Sequence, residues 1–265
     1  MIRFAANLGF MFQELPMPAR FEAAARAGFR AVELLVPFEF AAQDLARWAG
    51  DQGLEILGFN MWPGRWPDGE RGIAALPGRE QEFKDSVTQA LEYADVLDVP
   101  RFHPFAGIIP AGADRARCRA VYLDNLTRAS EAAARHGRGI WIEPLNPRDF
   151  RGYFLSTLAD AEAVRADVGA ANLKFTVDCY HTQIAEGDLT TKLRQYRDHI
   201  AHVQIAGVPD RHEPDGGEVN YAFIFDVLRD IGYAGWVGCE YRPRAGTASG
   251  LGWMRRFTTS TESSS

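Results

Sequence analysis

Hydrophobic positions along the chain fall into two alternating kinds of segment. Short β-rich apolar runs occupy 3–9, 31–36, 55–60, 101–107, 139–145, 173–180, 200–207 and 236–241. Between them apolar residues advance in steps of three and four: Phe83, Val87, Ala90, Leu91, Ala94 and Leu97 form one such stripe, and Ile224, Val227, Leu228 and Ile231 another. Strand-length runs alternating with helical stripes predict βαβ units, because parallel strands buried on both faces need helical crossovers to connect them. Gly137 and Gly232 stand where helices should stop, each shortly before the next run. Eight such units in roughly 250 residues match a closed (β/α)8 TIM barrel of the α/β class, whereas an open doubly wound sheet seldom needs eight parallel strands. The expected organisation is one barrel domain over 1–257, followed by a polar, low-complexity tail at 258–265 that should fray.

Composition narrows the function classes. An apolar fraction of 46% with 24% charged residues is ordinary for a globular unit. The net charge of -6 opposes binding to phosphate backbones, so nucleic acid is not an expected partner. No window approaches the roughly 18 apolar residues of a membrane span, and the start of the chain lacks a signal peptide's pattern, so no membrane partner is expected and the expected location is cytoplasmic. Cys118, Cys179 and Cys239 lack metal-site spacing and read as reduced, buried thiols. No dinucleotide fingerprint or phosphate loop follows any run. A homo-oligomer is left open.

The C-terminal ends of barrel strands carry the chemistry of this architecture. Glu143, Asp178, Gln204 and Glu240 stand late in the fifth to eighth runs. Three carboxylates in one mouth repel one another unless a cation compensates. The oxygen-rich donor set favours a hard divalent ion, Mg2+ or Mn2+. His181, three residues beyond Asp178, is expected to hydrogen-bond substrate or support the site instead of ligating. Glu33, on the second run, reads as an interior carboxylate with a polar partner. His103 and His202 read as satisfied interior histidines, and His136 and His199 as surface groups. Two long loops, 61–79 and 208–220, follow strand ends and overlook the mouth. Arg211 in the second is the expected substrate contact, with Arg71 and Arg79 in the first as weaker candidates.

Motifs spread over nearly the whole chain carry a family resemblance: Phe4-Ala5-Ala6-Asn7-Leu8, Gly69-Glu70-Arg71-Gly72, Ile142-Glu143-Pro144-Leu145-Asn146, Ala201-His202-Val203-Gln204-Ile205-Ala206, Arg211-His212-Glu213-Pro214 and Gly238-Cys239-Glu240-Tyr241. With these the sequence resembles the hydroxypyruvate isomerase family, including its 2-oxo-tetronate isomerase branch, among the xylose isomerase-like TIM barrels. The resemblance implies a metal held by Glu143, Asp178, Gln204 and Glu240, with Glu143 and Glu240 also serving as the acid/base pair. It further implies an aldose-ketose type isomerisation of a small 2-oxo acid through an enediolate. The substrate would be hydroxypyruvate, giving tartronate semialdehyde, or 2-oxotetronate, giving 3-oxotetronate, positioned by His181 and Arg211. The alternative is a ketose 3-epimerase acting on a free sugar, which usually has His at the position of Gln204.

Overall fold

The computed structural model describes residues 1–258. Eight parallel strands close into a barrel in sequence order. They are β1 Arg3–Asn7, β2 Ala31–Leu34, β3 Glu55–Asn60, β4 Arg101–His103, β5 Gly139–Ile142, β6 Leu173–Asp178, β7 Ile200–Ile205 and β8 Trp236–Cys239. Closure is made by β1 on β8, with Phe4 opposite Val237 and Ala6 opposite Cys239. The crossovers are α1 Met17–Arg26, α2 Ala42–Asp51, α3 Glu80–Leu97, α4 Arg115–Arg135, α5 Leu158–Val168, the pair α6 Cys179–Ala185 and α7 Leu189–Gln195, and α8 Tyr221–Asp230. A 3-10 segment, Ala248–Met254, and a last turn, α9 Arg255–Thr258, pack across the start of the barrel, with Trp253 edge-on to Phe4. Thr258, the first residue of the expected tail, closes that turn; 259–265 lie outside the described residues.

The helical stripes do what their spacing predicts. Phe83, Val87, Ala90, Leu91, Ala94 and Leu97 of α3 are all buried, as are Ile224, Val227 and Leu228 of α8. Gly137 and Gly232 follow their helices with φ of 67° and 73°, a left-handed exit that a residue without Cβ makes at least cost. No helix of the described chain is long and apolar enough to cross a membrane.

Side-chain parity divides the barrel interior into layers. Phe102 points outward, where it stacks on Phe59 beside Tyr93 of α3, so Arg101 and His103 on either side of it point in. Ala5, Ala31 and Leu57 cluster with Trp236 towards the N-terminal end. Above them Trp141 lies against His202, with ring centroids 5.2 Å apart. The top layer is polar on every strand: Asn7, Glu33, Asn60, His103, Glu143, Asp178, Gln204 and Glu240. The paired registers Asn7–Glu33, Asn60–His103 and Asp178–Gln204 keep these residues level.

Candidate active site at the barrel mouth

Glu143, Asp178, Gln204 and Glu240 converge in this top layer, each between 1% and 7% exposed. Asp178 ends β6 and caps α6, its Oδ1 accepting from the Tyr180 amide at 2.8 Å, which leaves Oδ2 for the mouth. Gln204 Nε2 donates to Glu240 Oε2 at 2.6 Å and to Glu33 Oε2 at 2.8 Å. Asn7 Nδ2 bridges the same two carboxylates, at 2.9 Å and 3.3 Å. Two carboxylates facing one end of the Gln204 amide fix its orientation, since the carbonyl oxygen there would be repelled. Gln204 Oε1 therefore faces the other way, buried and without a protein partner; Glu143 Oε1 is in the same condition. Glu33 also accepts from His202 Nε2 at 2.5 Å. Room for this bridge comes from Gly238, where any Cβ would overlap Glu33 Oε1 and crowd Gln204 Cγ.

Arg211 enters the mouth from the loop after β7, in a left-handed conformation with φ 58°. Its Nη2 lies 2.6 Å from Glu240 Oε1 and 3.3 Å from Asp178 Oδ2, and its plane sits between the rings of Phe10 and Tyr180 at 4.7 and 4.8 Å. His181 is buried on α6. Its Nδ1 accepts from the Asn146 backbone amide at 3.2 Å, so the ring proton belongs on Nε2, 3.7 Å from Asp178 Oδ2. Burial, reinforced by Arg211 and Arg148, holds this imidazole well below its usual pKa and so neutral. Burial also drives the carboxylates upward: Glu143 well above its ordinary range, with Glu240 and Asp178 adding to the effect, and Asp178 upward against the pull of Arg211. Glu240 is pushed up to about 8 by burial, although Arg211 opposes the shift.

Residues 21–257 match the family of xylose isomerase-like TIM barrels. The chain is 55% identical to the 2-oxo-tetronate isomerase of Cupriavidus necator over 97% of its own length and 99% of that protein's. The chain belongs to this family. It is also 41% identical to the hydroxypyruvate isomerase of Escherichia coli, over 96% of this chain and 98% of that one. The crystal structure titled AP endonuclease, family 2, from Brucella melitensis superposes with a TM-score of 0.95 at 47% identity, covering 97% and 99% of the two chains. These full-length likenesses make this xylose isomerase-like barrel an isomerase. A D-psicose 3-epimerase from Clostridium cellulolyticum, at 20% identity and a TM-score of 0.77 over 94% of this chain and 89% of that one, shares the fold.

The donor set of this family member fits a cation on its own chemistry. Once ionised, Glu143, Asp178 and Glu240 carry more negative charge than Arg211 alone offsets, and two buried oxygens, Glu143 Oε1 and Gln204 Oε1, lack protein donors among the described residues. Glu143, Asp178 and His181 bring one donor atom each within 4.8 Å of one another, a grouping that can hold a metal ion. With its proton on Nε2, His181 is better suited to donate to an oxygen than to ligate.

Of the weaker sequence candidates, Arg79 is committed elsewhere: it pairs with Glu70 at 2.9 Å and with Glu82. Glu33 has the polar partners expected of it, and His202 is satisfied. His103 is only half so, since Nδ1 meets the Trp141 carbonyl at 2.9 Å while Nε2 has no partner. Sequence reasoning passed over Asn7 and Asn60. The signal was available, because both end their strands as Asp178 does; they were missed because the search followed the carboxylate-rich fifth to eighth strands and did not extend to β1 and β3.

Proposed function

We propose that this barrel interconverts small 2-oxo acids in a reaction dependent on Mg2+ or Mn2+: hydroxypyruvate with tartronate semialdehyde, or 2-oxotetronate with 3-oxotetronate. Glu143, Asp178, Gln204 and Glu240 would hold the ion. The ion would supply Lewis-acid polarisation of the substrate's carbonyl and neighbouring hydroxyl oxygens. One of Glu143 and Glu240 takes the proton from the carbon beside the carbonyl, giving a cis-enediolate, and the other delivers a proton to the adjacent carbon. His181 Nε2–H donates to a substrate oxygen, and Arg211 steadies Glu240 while offering its remaining edge to the substrate.

The observation that carries this reading is the buried pair Glu143 and Glu240 in one mouth, with Glu143 Oε1 free of any protein donor. Burial that lifts both carboxylates towards neutrality suits groups that must give and take a proton near pH 7. Support for the substrate class comes from the printed activities of the full-length relatives. The test is proton NMR of hydroxypyruvate and 2-oxotetronate in deuterated water with the Mn2+- or Mg2+-loaded protein. Deuterium should enter beside the carbonyl as product forms, and chelator-stripped protein should do neither. Turnover without exchange, or equal turnover after stripping, would refute the proposal.

A further inference from the structure

The loop 61–79 carries three arginines with different commitments. Arg65 lies 3.3 Å from Asp68 and 3.4 Å from Glu70. Arg79 binds Glu70 and Glu82. Arg71 has no carboxylate within ion-pair distance among the described residues. Its Nη1 donates to the carbonyls of Glu70 and Trp66, at 2.7 and 3.1 Å, and its plane lies 3.7 Å over the Trp66 ring. The Nε–Nη2 edge, the side of a guanidinium that pairs two-to-two with a carboxylate, has no acceptor among the described residues.

The loop follows β3 at the end of the barrel that carries the mouth. Gly72 bridges to Ala106 in the loop after β4, and its backbone is so close to Phe105 that no Cβ would fit. Trp66 packs on Phe105 with centroids 6.2 Å apart, and Phe105 meets His103 edge-on at 4.8 Å. A continuous stack thus runs from the top layer of β4, next to the strand that carries Glu143, out to Arg71. Arg211 differs: its Nε and Nη2 are already spent on Glu240 and Asp178. An incoming carboxylate, repelled by three others in the mouth, needs a cation that none of them has neutralised.

We propose that Arg71 is the specificity residue that receives the substrate's carboxylate on its Nε–Nη2 edge, thereby selecting 2-oxo acids over uncharged ketoses. The inference rests on the substrate class proposed above. Stacking on Trp66 pre-sets the guanidinium plane and removes water from one of its faces, which strengthens a charge-assisted pair.

The test compares the metal-loaded wild type with Arg71→Gln and Arg71→Lys. Kinetics are measured on hydroxypyruvate. Calorimetric binding is measured for D-glycerate, an unreactive carboxylate, and for dihydroxyacetone, in which CH2OH replaces the carboxylate. In Arg71→Gln the KM for hydroxypyruvate and the Kd for D-glycerate should each rise roughly 10- to 100-fold, the range of one charged hydrogen-bonded contact, with kcat within about threefold. Dihydroxyacetone binding should not change. Arg71→Lys, which keeps the charge but not the fork, should fall between. Equal losses for the neutral and the charged ligand, an unchanged KM, or a fall confined to kcat would each overturn the proposal. Should the wild type turn over neither hydroxypyruvate nor 2-oxotetronate, the substrate assignment fails on its own, and the glycerate comparison still decides Arg71. A wild-type preference for D-glycerate that disappears in Arg71→Gln supports the role, and no preference removes it.

Discussion

A buried carboxylate oxygen requires a donor, a proton or a cation, and Glu143 Oε1 has no donor. That condition was half legible from the sequence. Position at a strand end placed Glu143, Asp178, Gln204 and Glu240 in one mouth, because parity and strand order follow from apolar pattern alone. Which of their atoms stay unpaired depends on partners that pattern does not encode, such as the Glu33 and Glu240 carboxylates clamping the Gln204 amide. Arg211 was placed at the rim but not its pairing with Asp178 and Glu240, since a loop's path into a site is not written in periodicity. Glu143→Gln and Glu240→Gln keep shape and remove the ability to cycle a proton. Each should lower kcat by about 10²- to 10⁴-fold, with an unchanged thermal midpoint showing the fold intact. Near-normal turnover in either variant would remove that residue from the proton transfer.

At the scale of the element, the strands begin where the apolar runs begin, and all but β3, which matches its run throughout, stop short of where those runs end. The run 101–107 pairs only as Arg101–His103; Pro104 interrupts it, and the rest turns over to receive Gly72 from the neighbouring loop. Loop residues stay apolar because they pack beneath one another at the rim, a distinction a one-dimensional pattern cannot draw. On β8 the small residue at 238 is what lets Glu33 cross to Gln204 and His202. Gly238→Ala should push Glu33 off these partners, costing about 1–3 kcal/mol by overpacking a tight interior. Urea denaturation should record that loss, and calorimetry with Mn2+ should record weaker binding. An alanine variant equal to wild type in both would mean that the bridge tolerates displacement.

The molecule as a whole was readable in outline, since eight repeated units leave few alternatives to a closed cylinder, whereas the electrostatics of its mouth emerge only on closure. Those electrostatics predict an unusual pH response without metal. Glu240, whose carboxyl is lifted to about 8, holds a proton in the folded protein that the unfolded chain has already lost above its ordinary 4.5; Glu143 shifts the same way. The folded state thus binds more protons in that window, and its stability falls as pH rises through it. The buried imidazoles His103, lowered to about 4 by burial, and His181 act in the opposite sense, but only below about pH 6.5. From about pH 7 to about pH 9, chelator-treated protein should therefore lose thermal midpoint, and saturating Mn2+ should flatten the slope. A midpoint that rises over this interval would contradict the assignment. The bond of 2.9 Å between Asn7 and Glu240 joins positions 233 residues apart. During synthesis on the ribosome the residues of the first strand must therefore wait for the eighth to emerge, and no nascent fragment ending before that strand can possess the complete mouth.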